Sequence, residues 1–152
     1  MRLVLPVIAL AIVLSGCSAT APTEKPQPSA SSAPVTAVDL AAGTQDEGVD
    51  VEVAGPTQVA MREITLKPGA GTGEHCHYGQ LIAVVAEGEL THYADIYPGG
   101  VHVYEEGDSI IEGAGYRHEG RNEGDENVVL WVTYVIPEGK PLAETDLTHC
   151  DA

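Results

Sequence analysis

His75 and His77 carry the first chemical signal, at the end of the segment Gly69-Ala70-Gly71-Thr72-Gly73-Glu74-His75-Cys76-His77. In an extended chain, residues two apart project to one face, so the two imidazoles point together and Cys76 points away. Two neutral imidazoles on one face are half of a metal site. Taken alone the pair is weak evidence, because paired surface histidines are common. A second stretch, Gly107-Asp108-Ser109-Ile110-Ile111-Glu112-Gly113-Ala114-Gly115-Tyr116-Arg117-His118-Glu119-Gly120-Arg121-Asn122, places another histidine in a glycine-punctuated hairpin. Arg117 and Arg121 flank His118; either could hold a carboxylate ligand in a bidentate pair or simply neutralise nearby glutamates.

The elements that must position these residues read as strands. Val59–Leu66 closes on Lys67-Pro68-Gly69, Gln80–Ala86 on Glu87-Gly88-Glu89, and Glu89–Tyr97 on Pro98-Gly99-Gly100. Val101–Tyr104 and Ser109–Glu112 are shorter. Asn127–Ile136 is apolar on both faces and reads as a central strand. No stretch carries a helical period, so the fold class is all-β, an antiparallel sandwich or small barrel. The chain has 152 residues, 43% hydrophobic and 20% charged, with no phenylalanine and one tryptophan. Its core must therefore come from Val, Ile, Leu, Ala and Tyr. Seven Lys plus Arg stand against 23 Asp plus Glu, a formal charge of -16. Such a surface repels phosphate backbones and anionic headgroups, which argues against nucleic acid as a partner.

The N-terminus reads as an address. Arg2 precedes an apolar run, Leu3–Leu14, too short to span a bilayer. Leu14-Ser15-Gly16-Cys17 resembles the lipobox of bacterial lipoproteins. That resemblance implies a signal peptide over 1–16, acyl chains such as palmitate on Cys17, and a membrane anchor holding the protein on the extracytoplasmic side of the cell envelope. A plain signal peptide with an incidental cysteine is the alternative. Residues 17–49 follow as a Pro/Ser/Ala-rich disordered tether. A single folded domain is expected over 50–152, with Val51 and Val53 opening the strand pattern.

Taken together, the two histidine stretches resemble the paired signature motifs of the cupin superfamily. Gly69, His75, His77 and Gly88 fall where the first motif requires them. Gly107, Gly115, His118 and Asn122 match the second, with Gly113 where proline is usual. The resemblance implies a small antiparallel, jelly-roll-like β-barrel. It also implies a three-histidine site of His75, His77 and His118 for a divalent transition metal (Fe, Zn, Mn, Ni or Cu), with water or substrate in the open positions. A metal-free pocket for an organic ligand is the alternative. The chain departs from the family where a ligand glutamate belongs, carrying Leu81, or Ile82 at the longer spacing. HCHYGQ is similar to an HxHxG subset that uses three histidines only. No carboxylate is then expected at the imidazoles, Leu81 should form an apolar wall, and Gln80 turns inward only if Gly79 bulges.

The remaining polar residues take ordinary roles. His92 and His102 read as exposed or hydrogen-bonded strand histidines, His149 as solvated, and Glu74, Glu112 and Glu119 as surface acids. Cys76 and Cys150 either form a disulfide, which an exported compartment permits, or remain thiols. Two functions stay open: a small metal-dependent enzyme of dioxygenase, isomerase or lyase class acting on a small molecule, or a non-catalytic, surface-tethered binder of metal or a small ligand. The family resemblance also allows a homodimer through exposed strands.

Overall fold

The computed structural model describes residues 37–151. The expected signal peptide, Cys17 and the tether up to residue 36 lie outside the described residues. Seven strands follow in order: β1 Thr57–Leu66, β2 Gln80–Glu87, β3 Leu90–Ala94, β4 Val101–Tyr104, β5 Ser109–Glu112, β6 His118–Arg121 and β7 Val128–Pro137. They form a four-stranded sheet in the order β1-β7-β2-β5 and a three-stranded sheet in the order β4-β3-β6, with every strand pair antiparallel. A single 3-10 turn, Leu147–His149, is the one helical element among the described residues.

β7 lies between β1 and β2, as its hydrophobicity demands. Its residues alternate strictly. Val128, Leu130, Val132, Tyr134 and Ile136 are buried, whereas Val129, Trp131 and Val135 are half-buried on the outer face. Leu66, Leu81, Ala83, Val85, Leu90 and Ile110 complete the core. Each of the valines, leucines and isoleucines contributes about 1.5–3 kcal/mol of hydrophobic stabilisation if fully buried.

Some boundaries differ from the sequence pattern. Val51 and Val53 lie outside any strand, and β1 starts at Thr57. The valine alternation there is too short, and Gly55-Pro56 removes a donor and supplies a positive φ just before β1. β3 stops at Ala94, because residues 95–100 turn back with Tyr97 N–H donating to Ala94 O. β6 is an element the pattern did not reveal, since Glu119, Gly120 and Arg121 carry no strand signature. At the end of the expected tether, Thr44 bridges Asp108 beside β5. Its N–H donates to Gly107 O at 3.0 Å, and its carbonyl accepts from Ser109 N–H at 2.9 Å.

Candidate metal centre

The chain around His75 is zipped to β6. His75 and His118 exchange both backbone hydrogen bonds at 3.0 Å, Thr72 N–H donates to Gly120 O at 2.9 Å, and Asn122 N–H donates to Ala70 O at 2.9 Å. The first pairing places His75 directly opposite His118, with ring centroids 4.4 Å apart. His77 follows two residues on, and its ring lies 5.0 Å from each of the other two. Buried Asn122 fixes the far end of the hairpin: its side-chain amide donates to Leu66 O and Glu126 O, and its Oδ1 accepts from Gly124 N–H.

Each imidazole is held by the main chain through Nδ1. His75 donates to Gly73 O at 2.8 Å, His77 to Leu142 O at 2.6 Å, and His118 to Tyr116 O at 3.1 Å. A carbonyl only accepts, so the proton is assigned to Nδ1 and the lone pair of each neutral ring to Nε2. The ligand atoms of the three lie within 4.8 Å of one another, so they could hold a metal ion. Burial lowers the proton affinity of His75, and the neighbouring His118 and His77 act in the same direction, outweighing the raising effect of its Gly73 bond.

The expectation that no carboxylate approaches these rings is overturned by Glu112. It is 7% exposed rather than a surface acid. Its Oε2 lies 2.9 Å from His77 Nε2 and 3.2 Å from His118 Nε2. Its Oε1 lies 3.0 Å from His92 Nε2, off the line of a hydrogen bond, so that buried nitrogen is left without a hydrogen-bond partner. Burial alone would push the Glu112 carboxyl up, but the imidazoles of His118, His77 and His92 more than offset it and hold it well below the usual carboxylate value. The reason lies in strand register. Glu112 on β5 is the direct partner of Leu81 on β2. The carboxylate missing from position 81 enters from the opposite position on the neighbouring strand.

His92 is likewise part of the cluster, 1% exposed, with Nδ1 hydrogen-bonded to the Tyr97 hydroxyl at 2.8 Å. Tyr97 in turn bonds the Tyr104 hydroxyl at 3.0 Å. His92, Glu112 and His118 form a second set of ligand atoms close enough for one ion, sharing His118 with the first. Alternation held the signal for Glu112: Ile110 is a core residue, and the residue two further along β5 must face the same way.

Leu81 is buried on the inner face, as expected, and Gln80 is on the other face, paired with Val135. β2 and β7 stay in register from Gln80 onward until a shift between Val85 and Glu87. Gly79 makes a close approach, since a Cβ there would sit 2.3 Å from Val135 O. Ile64, Leu81, Ala83, Leu130 and Val132 line a chamber of about 40 Å³ together with His75, His92 and Glu112. A larger cavity of about 460 Å³, lined by Thr44, Glu47, Tyr97, His102 and Tyr104, contains none of the three convergent histidines. The chamber touches His75 and Glu112, and a third cavity of about 230 Å³, lined by Glu74, Tyr93, Asp95, Arg117 and Glu119, reaches His118.

Arg117 and Arg121 do not reach the imidazoles. Arg117 donates to Leu147 O at 3.1 Å, and Arg121 pairs with Glu119 at 3.0 Å. His102 is exposed, and His149 pairs with Glu144 at 3.1 Å. Cys76 and Cys150 are joined in a disulfide, which settles the alternative that the sequence left open.

The donor set fits a divalent ion. Two imidazole lone pairs and a carboxylate oxygen crowd within 2.9–3.2 Å in a buried site, and only cations placed among them, metal or protons, make that favourable. Imidazole and carboxylate suit several first-row transition metals.

Two antiparallel sheets closed over an inward cluster of histidines define a cupin-type barrel. Residues 62–136, which contain His75, His77, Glu112 and His118, match the family model Cupin_2, the cupin domain. No curated protein matches the chain. Among solved structures, it is similar to a sugar phosphate isomerase of the cupin superfamily from Silicibacter pomeroyi, at 29% identity over 50% of this chain and 49% of that one, TM-score 0.45. It is also similar to a DMSP lyase from Ruegeria pomeroyi, at 18% identity over 62% of this chain and 45% of that one, TM-score 0.49. A predicted oxalate decarboxylase from Thermotoga maritima is 23% identical over 51% of this chain and 64% of that one, TM-score 0.44. The alignment thus spans about half the length of the first two proteins and 64% of the third.

Proposed function

We propose that this barrel holds one divalent transition metal through His75, His77 and His118, with Glu112 as the carboxylate, and uses it on a small polar molecule. The observation that carries this reading is the pinning of Nδ1 of His75, His77 and His118 to backbone carbonyls, which directs the Nε2 lone pairs of His77 and His118 toward Glu112. A bound divalent ion supplies Lewis-acid polarisation of a coordinated oxygen. The three neutral rings keep their tautomer through the main chain. Glu112 brings one negative charge, so the centre is less electrophilic than a purely three-histidine site. Leu81, Ala83 and Val132 exclude water from the inner side, which strengthens electrostatic interactions there.

Metal analysis of the purified chain, combined with an oxygen-consumption screen and a screen of small hydroxy and oxo acids, tests the reading. Stoichiometric metal and turnover are expected from the intact site; a chain with no metal after loading with each candidate ion overturns it. Capture of an ion or small ligand without turnover is the second reading, favoured by the chamber of about 40 Å³ beside His75 and Glu112, which has room for little more than an ion. Metal without turnover of any screened compound supports that second reading.

The same proposal places the barrel on the extracytoplasmic side of the envelope, held to a bilayer through acylated Cys17. Leu14-Ser15-Gly16-Cys17 supports the placement. Cys17→Ser should abolish acylation and release the protein to the soluble fraction; unchanged membrane association would sink this part.

A further inference from the structure

The C-terminal segment Leu142–Asp151 lies across both histidine-bearing stretches. Glu144 exchanges two backbone hydrogen bonds with Cys76, at 3.0 and 2.9 Å. Leu142 O accepts from Nδ1 of His77 at 2.6 Å. Asp151 N–H donates to Gly115 O at 2.9 Å, and Gly115 N–H donates to His77 O at 2.9 Å. The Cys76–Cys150 disulfide is the covalent tie, closing a sequence separation of 74 residues at the residue between the two histidines. No residue from Glu138 to Asp151 is buried. The segment therefore gains little from apolar burial, and such segments open at low cost unless something else holds them.

We propose that the Cys76–Cys150 disulfide is a thiol-sensitive latch on the metal centre, a role that rests on the metal reading above. While it is closed, the strap presents Leu142 O to His77 and fixes that ring with Nε2 facing Glu112. When it is opened, the strap keeps only hydrogen bonds, chiefly those of Glu144 to Cys76 and Tyr78, and two half-buried leucines, Leu142 and Leu147; its hold loosens and His77 loses its fixed orienting acceptor. Losing such a partner costs about 10–100-fold in metal affinity. The opening reaction is thiol–disulfide exchange with an external dithiol. Its thiolate attacks the sulfur of Cys150, which is half-buried where Cys76 is 2% exposed, and Cys76 leaves as a thiolate that takes up a proton. The second thiol of the dithiol then displaces Cys150. The protein gains two electrons and two protons, and the dithiol becomes a disulfide.

Cobalt(II) titration of the full chain, read by its visible spectrum and by competition with a chelating dye, tests the latch. The oxidised chain should bind one ion. The Cys76→Ser/Cys150→Ser chain, which offers the metal neither of the latch's own thiols, should bind it about 10–100-fold more weakly, and both chains carry Cys17 alike. In the metal-free state, the Nδ1–H resonance of His77 should broaden or shift in that variant while the β7 amide resonances stay in place. Equal affinity in the oxidised and double-serine chains overturns the latch and leaves the metal reading standing. An oxidised chain that binds no cobalt overturns both. If the double-serine chain does not fold, reduction of the wild-type chain by a phosphine followed by reoxidation reads the same effect: the cobalt affinity must fall about 10–100-fold and then recover, and an affinity unchanged through the cycle overturns the latch.

Discussion

The two sheets of this barrel send different chemistry inward. The four-stranded sheet presents Leu81, Ala83, Val85, Ile110, Leu130, Val132 and Ile136, and Glu112 is its one buried acid. The three-stranded sheet and the segment zipped to it present His92, His118, His75 and His77. Neither face makes a site alone. The histidines need a wall that excludes water, and the apolar wall needs a reason to bury a carboxylate. A buried acid survives only when paired, and the pairing here runs across the interior from one sheet to the other.

The sharpest way to break this division is to remove a histidine. His118→Ala deletes a ring common to both possible ligand sets and leaves Glu112 buried with one strong partner fewer. Stoichiometric metal binding should vanish, by calorimetry or dye competition; His75→Ala and His77→Ala should each weaken it greatly. Metal retained after loss of two of these rings would remove the site from consideration. On the other sheet, Ile110→Ala empties core space beside the site, and it should cost about 2–5 kcal/mol in a denaturant melt while metal stoichiometry in the folded protein persists.

A smaller and more informative effect follows from the Leu81–Glu112 register. Glu112→Leu should weaken metal binding by about 10–100-fold, or about 1.4–2.7 kcal/mol. Adding Leu81→Glu should recover most of that loss, because the carboxylate returns from the opposite position on the same face. No recovery would mean that the two positions are not interchangeable and that Glu112 acts otherwise than as a ligand. Gln80→Ala defines the floor: its side chain lies on the other face, and affinity should stay within about twofold.

Much of this arrangement is legible in the sequence because it is local. The alternation that turns His75 and His77 to one side survives in the structure, as do the strand at Ser109–Glu112 and the inward Leu81. The motif spacing correctly marks the cupin-type fold. What escaped depends on non-local register. That Leu81 and Glu112 are partners is fixed by how β2 meets β5, and nothing within either strand states it. Glu112 carries an unfavourable prior for burial, while the Ile110 alternation that argues the other way spans only four residues. His92 was recognisable as hydrogen-bonded, but its approach to Glu112 requires two sheets to face each other. A C-terminal tail across the outer face at Cys76 was within reach of the sequence, but its hold on His77 was not, since Leu142 contributes a carbonyl, and a backbone acceptor leaves no trace in residue type.

That last point governs how the site can drift. Gly73, Tyr116 and Leu142 orient three imidazoles through oxygens that every amino acid possesses. Side chains at 116 and 142 can therefore change without altering which nitrogen of the adjacent ring bears the proton. A one-residue insertion or deletion between 73 and 77, by contrast, would misplace an acceptor while leaving every histidine in the sequence. The inheritance of this centre is written in chain length and path more than in letters.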